Sequence, residues 1–427
     1  MLNREKEPSF NTIDQISITE AKKEVLDNGI SVYSIDTGSQ ELVRVEFFFR
    51  SGVKEQQLKL QASHTMNMME NGTKNYSAEE ISEHLDFYGS YFQTISGFDH
   101  AVVALYSLNK HLKNSIGYVE EIIKNAAFSR EEYEIFLENA KQRFLINSKK
   151  VSFISRNEFA PLIFGEEHPY NHKITLSDLN SMSREHLLDF YKANINYSNC
   201  TIIISGKLPE GYLSLLNQHF GKGEWGGKKD QFVNQKFEIS STKQNKHFIV
   251  KEDALQSNIR IGRILFNKLH PDFFKFQILN TVLGGYFGSR LMSNIREDKG
   301  YTYGIGSGLV SFYETGYFEI STEVGVEVTQ NTLHEIYSEI SRLQQELIPE
   351  DELELVKNYI LGSFLRSVDG PFSLAEKFKS VWEYGLDYSY YNRYIESIKN
   401  CTSSELRALA VKYLQQNDLI ELVVGKK

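Results

Sequence analysis

The sequence predicts an α+β chain in which one unit of about 200 residues is used twice. Three observations carry this. The stretches MSREHLLDFYKANINYSNCTIIISG (182–206) and TSSELRALAVKYLQQNDLIELVVG (402–425) both read as capped helix, loop, apolar strand and glycine. The two halves run in the same order, with strands and a first helix ahead of a series of helices and a closing strand. Between them, residues 222–246 are rich in Gly, Lys, Gln and Ser and lack hydrophobic periodicity, so they read as a linker. The boundaries are therefore 1–221 for the N-terminal domain, 222–246 for the linker and 247–427 for the C-terminal domain.

The elements follow in order. Residues 1–25 are polar and read as a loose arm. Two strands are expected at 29–36 and 41–50, joined at Thr37-Gly38-Ser39, with Val43, Val45, Phe47 and Phe49 on one face of the second. A helix from Leu58 to Asn71 turns Met66, Met68 and Met69 inward and stops at Gly72-Thr73. Ser77-Ala78-Glu79-Glu80 is a capping box for the next helix, since serine and glutamate three apart satisfy each other's free backbone donors. Strands at 91–96 and 101–108 precede helices at 110–125, 130–148, 152–164 and 183–193 and a strand at 200–205. In the second half, strands are expected at 258–265, 301–309, 316–324 and 420–424, and helices at 271–282, 328–347, 349–366, 373–384, 390–398 and 403–414.

Composition narrows the function. With 427 residues, 24 Tyr and 28 Phe, the chain can bury sizeable cores. A net charge of −9 argues against a broad nucleic-acid or anionic-membrane surface. Cys200 and Cys401 cannot build a disulfide framework and fit a reducing compartment. The start MLNREKEPSF lacks the apolar core of a signal peptide, and no apolar run approaches the roughly 20 residues of a membrane span. The reading is a soluble cytoplasmic protein.

The most informative stretch is LGGYFGSRLMSNIREDKGYTYGIGSG (283–308). Gly284, Gly285 and Gly288 allow a tight turn between two helical runs. Leu291, Ile295 and Arg296 fit the last turns of the second run, and Gly300 fits a C-cap. Tyr301, Tyr303 and Ile305 alternate with small residues, as in a strand. Taken singly, Arg296 reads as a surface arginine paired with Glu297 or Asp298, and Tyr303 as half-buried sheet packing. Together they can aim two hydrogen-bond donors at one spot, one of them permanently charged.

This stretch resembles the Arg/Tyr segment in the second domain of the insulinase–pitrilysin peptidases, the inverted HxxEH zinc enzymes. The resemblance runs from Leu26 to Gly425 and includes LDNGISVYSID (26–36), ENGTKNYSAEEI (70–81) and HPYNHKITLSDLNSMS (168–183). It implies that each half is an antiparallel sheet covered by helices, in a clamshell architecture. It also implies that Arg296 and Tyr303 bind substrate backbone across from a zinc ion.

The zinc motif itself is missing. In that family HxxEH sits on the helix just before a Gly-Thr, and the corresponding positions here are Ser63, Met66 and Asn67. None of the three is a ligand of the expected kind, and Met66 cannot act as a base. Slipping by one recovers His64 but puts Asn67 and Met68 at the remaining positions. The distal glutamate ligand falls near Phe144 or Leu145, and no Asp or Glu occurs from Ala140 to Arg156. His168 and His172 lie in a loop, His64 reads as a core or interface histidine, and Glu83-His84 and Glu185-His186 read as solvated helix surface. No nucleophile motif is recognisable, and LGGYFGSR follows a helix instead of a strand, so it is a poor phosphate loop.

The resemblance extends to two-chain members, in which one chain keeps HxxEH and its partner loses it while keeping the Arg/Tyr pair. The expectation is a non-catalytic, substrate-binding subunit with no metal or cofactor of its own. Zinc is expected in an HxxEH-bearing partner subunit of similar size, and a peptide is the substrate. Without that partner the chain is open to homodimer formation. Two other readings remain: a peptide-binding or assembly protein on the same scaffold, and a stand-alone peptidase with unusual ligands such as His64, His84 or His100.

Overall fold

The computed structural model describes residues 18–227 and 237–427. Most of the arm at 1–25 and the middle of the linker therefore lie outside the described residues. The first half forms a six-stranded sheet from β1 (Lys22–Val25), β2 (Ser31–Asp36), β3 (Leu42–Phe49), β4 (Tyr91–Ser96), β5 (Ala101–Leu108) and β6 (Cys200–Gly206), in the order β1-β2-β6-β3-β5-β4. The second forms a five-stranded sheet from β7 (Lys246–Val250), β8 (Gln256–Leu265), β9 (Thr302–Ser311), β10 (Gly316–Gly325) and β11 (Ile420–Gly425), in the order β7-β11-β8-β10-β9. Setting β1 aside, the two orders are the same order. The internal repeat legible at 182–206 and 402–425 is thus a repeat of topology, with β6 and β11 in equivalent central positions.

Two expectations need correction. The sheets are mixed instead of purely antiparallel: β6 runs parallel to β2, and β11 parallel to β7. In each half a series of helices returns the chain to the side of the sheet where it began, which is the long crossover that a parallel pair requires. The supposed arm also contributes a strand, β1, paired antiparallel with β2 from Lys22↔Ser34 to Val25↔Ser31. Strand β7 was not expected either, because its residues, KHFIV, sit at the end of the linker composition. No helix among the described residues is long and apolar enough to cross a membrane.

Each sheet buries one face against helices of its own half. Val43, Val45, Phe47 and Phe49 meet Ile116, Val119 and Ile123 of the helix Leu112–Asn125, together with Met66 and Met68. In the second half, Ile259, Ile261, Phe318 and Ile320 meet Phe276, Leu279, Ile336 and Ile340.

The other face of each sheet is covered by a helix from the opposite half. The helix Val151–Phe164 packs Phe159, Ile163 and Phe164 against Ile420, Leu422 and Val424 of β11. Gly262 of β8 faces it with no side chain, and a Cβ there would stand 3.2 Å from the Phe159 ring. In return, the helix Pro371–Trp382 lays Leu374, Ala375 and Phe378 on Ile35 and Ile203 of the first sheet. This exchange explains why β3 is buried on both faces although it alternates charged with apolar residues. Arg44 and Glu46 point away from their own core and are 5% and 2% exposed. Glu46 pairs with Arg44 at 2.9 Å and with Lys379 at 2.6 Å, and Glu376 pairs with Arg44 and with Lys379, each at 2.8 Å. The four charges tie the helix of one half onto the sheet of the other.

Candidate functional site

The helix that corresponds to the family's zinc helix runs from Gln61 to Met68. It starts later than expected because Leu60 takes a left-handed backbone conformation, φ +72°. Gln61 fixes this entry: its side-chain oxygen accepts from the Gln57 N–H at 2.8 Å, and its amide donates to the His186 carbonyl at 2.7 Å. Met66 is fully buried, Asn67 is exposed, and the Ser63 hydroxyl donates to the Leu60 carbonyl at 3.1 Å. These three positions present neither a ligand set nor a base.

His64 is 6% exposed and meets the Phe136 ring edge-on, with centroids 4.9 Å apart. Burial, helped by the Arg143 charge, pushes its pKa down to about 4. It is a neutral core histidine. Phe144, at the distal ligand position, packs against Phe153. Among the described residues no group of three or more His, Cys, Asp or Glu side chains is placed to hold a metal. The residues present therefore do not fit a catalytic zinc, which needs three ligands and an open position.

His168, His172 and His100 are packed on aromatic rings. His168 stacks on Phe164, and its Nδ1 accepts the Tyr170 N–H at 3.1 Å. His172 packs on Phe98, and His100 stacks on Phe48. Two readings of solvated surface are corrected. His84 stacks on Tyr118 with centroids 4.7 Å apart, and His186 closes a capping box by accepting the Ser183 N–H at 3.1 Å. Both occupations come from neighbours distant in sequence or from local cap geometry, which solvent-facing periodicity does not reveal.

The Arg/Tyr segment has a different character. Two π-helical turns, Thr281–Gly285 and Met292–Asp298, flank the glycine-rich turn, and Arg296 sits on the second. Such wide turns recur at functional sites because they re-aim side chains. Gly300 follows at φ +66°, as expected of a C-cap glycine. Arg296 makes no ion pair with Glu297 or Asp298. Its guanidinium instead lies over the Phe287 ring, 4.5 Å from the centroid, and Phe287 is itself 61% exposed. That contact is a cation–π platform, contributed by the glycine-rich turn itself.

Tyr303 is 97% exposed, which removes the reading of half-buried sheet packing. The reason is a β-bulge. Thr322 faces Ile305 and Val324 faces Thr302, so Tyr303 and Gly304 together oppose the single residue Glu323. Without the extra residue, Tyr303 would share the core-facing side with the buried Ile305. Thr302 holds the bulge by donating to the Glu323 carbonyl at 2.8 Å while accepting the Gly304 N–H at 3.1 Å. Bulges of this kind sit at sheet edges and re-aim side chains, and β9 is the edge strand of its sheet. Neither the Arg296 guanidinium nor the Tyr303 hydroxyl has a hydrogen-bond partner among the described residues, so both donors are free for a ligand.

The turn itself is locked to β9. Asn280 donates to the Ser307 carbonyl at 3.2 Å, and Ser307 donates back to the Asn280 carbonyl at 3.4 Å. At Gly284 a Cβ would stand 2.6 Å from the Ser307 hydroxyl and 2.8 Å from its backbone nitrogen. Gly284→Ala is therefore expected to destabilise the protein by roughly 1–3 kcal/mol, because an overpacked backbone contact outweighs the gain in helical propensity. Gly308→Ala, where a Cβ meets nothing within 4 Å, is the control. Urea unfolding midpoints check the pair, and equal midpoints would refute the close-approach account.

Sequence reasoning found Arg296, Tyr303 and the Gly300 cap but missed Phe287 and the bulge. The aromatic in YFGS was a signal for the first. The second leaves none, since Tyr301, Tyr303 and Ile305 alternate as an unbroken strand would.

Residues 181–360 match the family model described as the Peptidase M16 inactive domain. The chain is 21% identical over 379 residues to an uncharacterized zinc protease of Rickettsia felis, covering 87% of this chain and 88% of that one. It is 19% identical over 371 residues to the non-peptidase homolog YmxG of Helicobacter pylori, covering 84% and 83%. Among solved structures, a protease from Helicobacter pylori superposes with a TM-score of 0.86 at 15% identity, covering 96% of this chain and all of that one. The peptidase M16 inactive domain from Pseudomonas fluorescens superposes with a TM-score of 0.83 at 19% identity, covering 96% and 99%.

Proposed function

We propose that this chain, which has the fold of the M16 peptidases and carries their inactive domain, is the non-catalytic, substrate-binding subunit of a two-chain zinc-dependent peptidase. The observation that carries the reading is the contrast between its two candidate sites. The zinc-helix positions are filled by a buried methionine, a spent serine and an exposed asparagine. The Arg296/Tyr303 segment instead presents two unspent donors on and beside the edge strand β9.

The chemistry suits a divided active site. Peptide hydrolysis builds negative charge on the scissile oxygen, and donors aimed at it stabilise the transition state. A peptide lying along an edge strand adds to the sheet through its backbone, so the edge reads main chain and not sequence. Arg296 and Tyr303 hold that backbone, while a partner subunit bearing HxxEH supplies zinc, water activation and the base. The two buried free thiols, Cys200 and Cys401, suit a reducing compartment such as the cytoplasm.

The name of the Helicobacter relative favours a second reading, a peptide-binding or assembly protein with no part in cleavage. One reconstitution separates the two. The chain, a similar-sized chain with intact HxxEH, and their mixture are assayed for zinc content and for cleavage of a peptide library. The expected result is a zinc-free, inert chain that raises the partner's turnover. A partner equally active alone would refute the subunit role, and stoichiometric zinc with cleavage by this chain alone would refute both readings.

A further inference from the structure

The second half bears an open cavity of about 490 Å³ that has no part in the Arg296/Tyr303 site. It lies among the outer end of β9 and the helices Phe273–Asn280, Glu350–Arg366, Pro371–Trp382 and Ser389–Asn400. Among the described residues its lining carries two lysines, Lys268 and Lys377, and no carboxylate.

Among the described residues neither ammonium makes an ion pair. Lys268 donates to the Ser380 carbonyl at 2.8 Å and lies over the Tyr384 ring, 4.4 Å from the centroid, with no carboxylate at ion-pair distance. Lys377 lies over the rings of Phe364 and Tyr391, 5.2 and 5.9 Å from their centroids, and has no hydrogen bond from its ammonium. Burial lowers both pKa values. Lys268 falls to about 8, with Glu383 opposing the shift and the Lys377 charge adding to it, while Glu376 opposes the shift of Lys377. The Lys377 charge thus adds to the cost of keeping Lys268 protonated, and an anion in the cavity relieves it.

Two of the phenols around them are unspent as well. Tyr390 is only 7% exposed and lines the cavity, and among the described residues neither its hydroxyl nor that of Tyr394 has a hydrogen-bond partner. Tyr391, by contrast, donates to the Lys377 carbonyl at 2.7 Å and so fixes the segment that carries the lysine. The rest of the wall is aromatic and aliphatic, including Phe273, Leu309 and Phe364. Two lysines with no carboxylate at ion-pair distance, two free phenol donors and an apolar remainder define the ligand by complement. The volume is in the ordinary range for small-molecule sites.

We propose that this cavity binds a small organic anion: a carboxylate or phosphate ester carried on an aromatic body. Lys377 and Lys268 face its charge, Tyr390 and Tyr394 donate to its oxygens, and the ring packs against the apolar wall. The site is independent of the peptide-processing role, so either stands without the other.

Isothermal titration calorimetry on the full chain at pH 7 tests it. The probes are 3-phenylpropionate, phenyl phosphate, inorganic phosphate and the neutral 3-phenylpropanamide. One-to-one binding of an aromatic anion is expected, and whichever of the two binds more tightly identifies the head group. The amide and inorganic phosphate should bind about tenfold more weakly or not at all, since each lacks one half of the recognition. Lys377→Gln should weaken the aromatic anion about tenfold, and the isosteric Tyr390→Phe several-fold, as for a hydrogen bond to a charged group. Affinity should also fall between pH 7 and pH 9.5 as Lys268 loses its proton, and the ionisation of Glu383, whose pKa burial raises to about 7, adds to the fall at the lower end of that window. The proposal is overturned if neither aromatic anion binds. It is equally overturned if the amide or inorganic phosphate binds as tightly, or if both folded variants bind as the parent does.

Discussion

Arg296→Ala is expected to lower the turnover of the reconstituted two-chain peptidase by roughly 100-fold, about 3 kcal/mol of transition-state stabilisation. The expectation follows from what the side chain lacks. Among the described residues it has no ion pair and no hydrogen bond, only the Phe287 ring beneath it. Its truncation should therefore leave folding and subunit assembly intact, which gel filtration and thermal unfolding would check. Tyr303→Phe removes one exposed hydroxyl and should cost about tenfold by the same argument. If the two donors act on developing charge, kcat falls more than KM rises. Phe287→Leu should give a smaller loss through a less well-held guanidinium. Unchanged turnover in Arg296→Ala, with the complex formed, would end the role assigned to this segment.

The second large effect concerns the joint between the halves. Glu46→Ala should destabilise the protein by about 3–5 kcal/mol, because removing one partner of a buried ionic group strands the others. Arg44 and Lys379 would then share only Glu376, whose side chain is 56% exposed. Glu376→Ala is the contrasting case and should cost about 1 kcal/mol or less, as exposed pairs do. Replacing Arg44, Glu46 and Lys379 together with apolar residues of similar volume should recover most of the loss. Urea denaturation of the four proteins checks the series. A Glu46→Ala variant within 1 kcal/mol of the parent would mean that the network is not closed to water.

Much of this protein was legible in its sequence, for local reasons. Strands 91–96 and 101–108 were placed to the residue because apolar runs there end at Gly and Asn turns. The capping box at Ser77 and Glu80 forms as read, since it needs only residues three apart. The zinc positions could be judged by chemistry alone: no packing turns Met66 into a base. The repeat was visible because helix, loop and strand recur with the same cap and the same terminal glycine.

The tertiary structure decided what depends on neighbours far along the chain. Strands β1 and β7 exist because β2 and β11 offer them an edge, not because KKEV or KHFIV propose a strand strongly. Arg44 and Glu46 look like a solvent face and are a buried lock, because a helix some 330 residues away covers them. Tyr303 looks like a core-facing strand residue and is almost wholly exposed, because one extra residue in β9 turns it outward. The lysines of the anion cavity sit 109 residues apart and acquire meaning only when four helices enclose them. Periodicity and capping are properties of a segment, and the chain states them directly. Burial, charge pairing and the direction of an edge side chain are properties of an assembly of segments, and only the folded chain sets them.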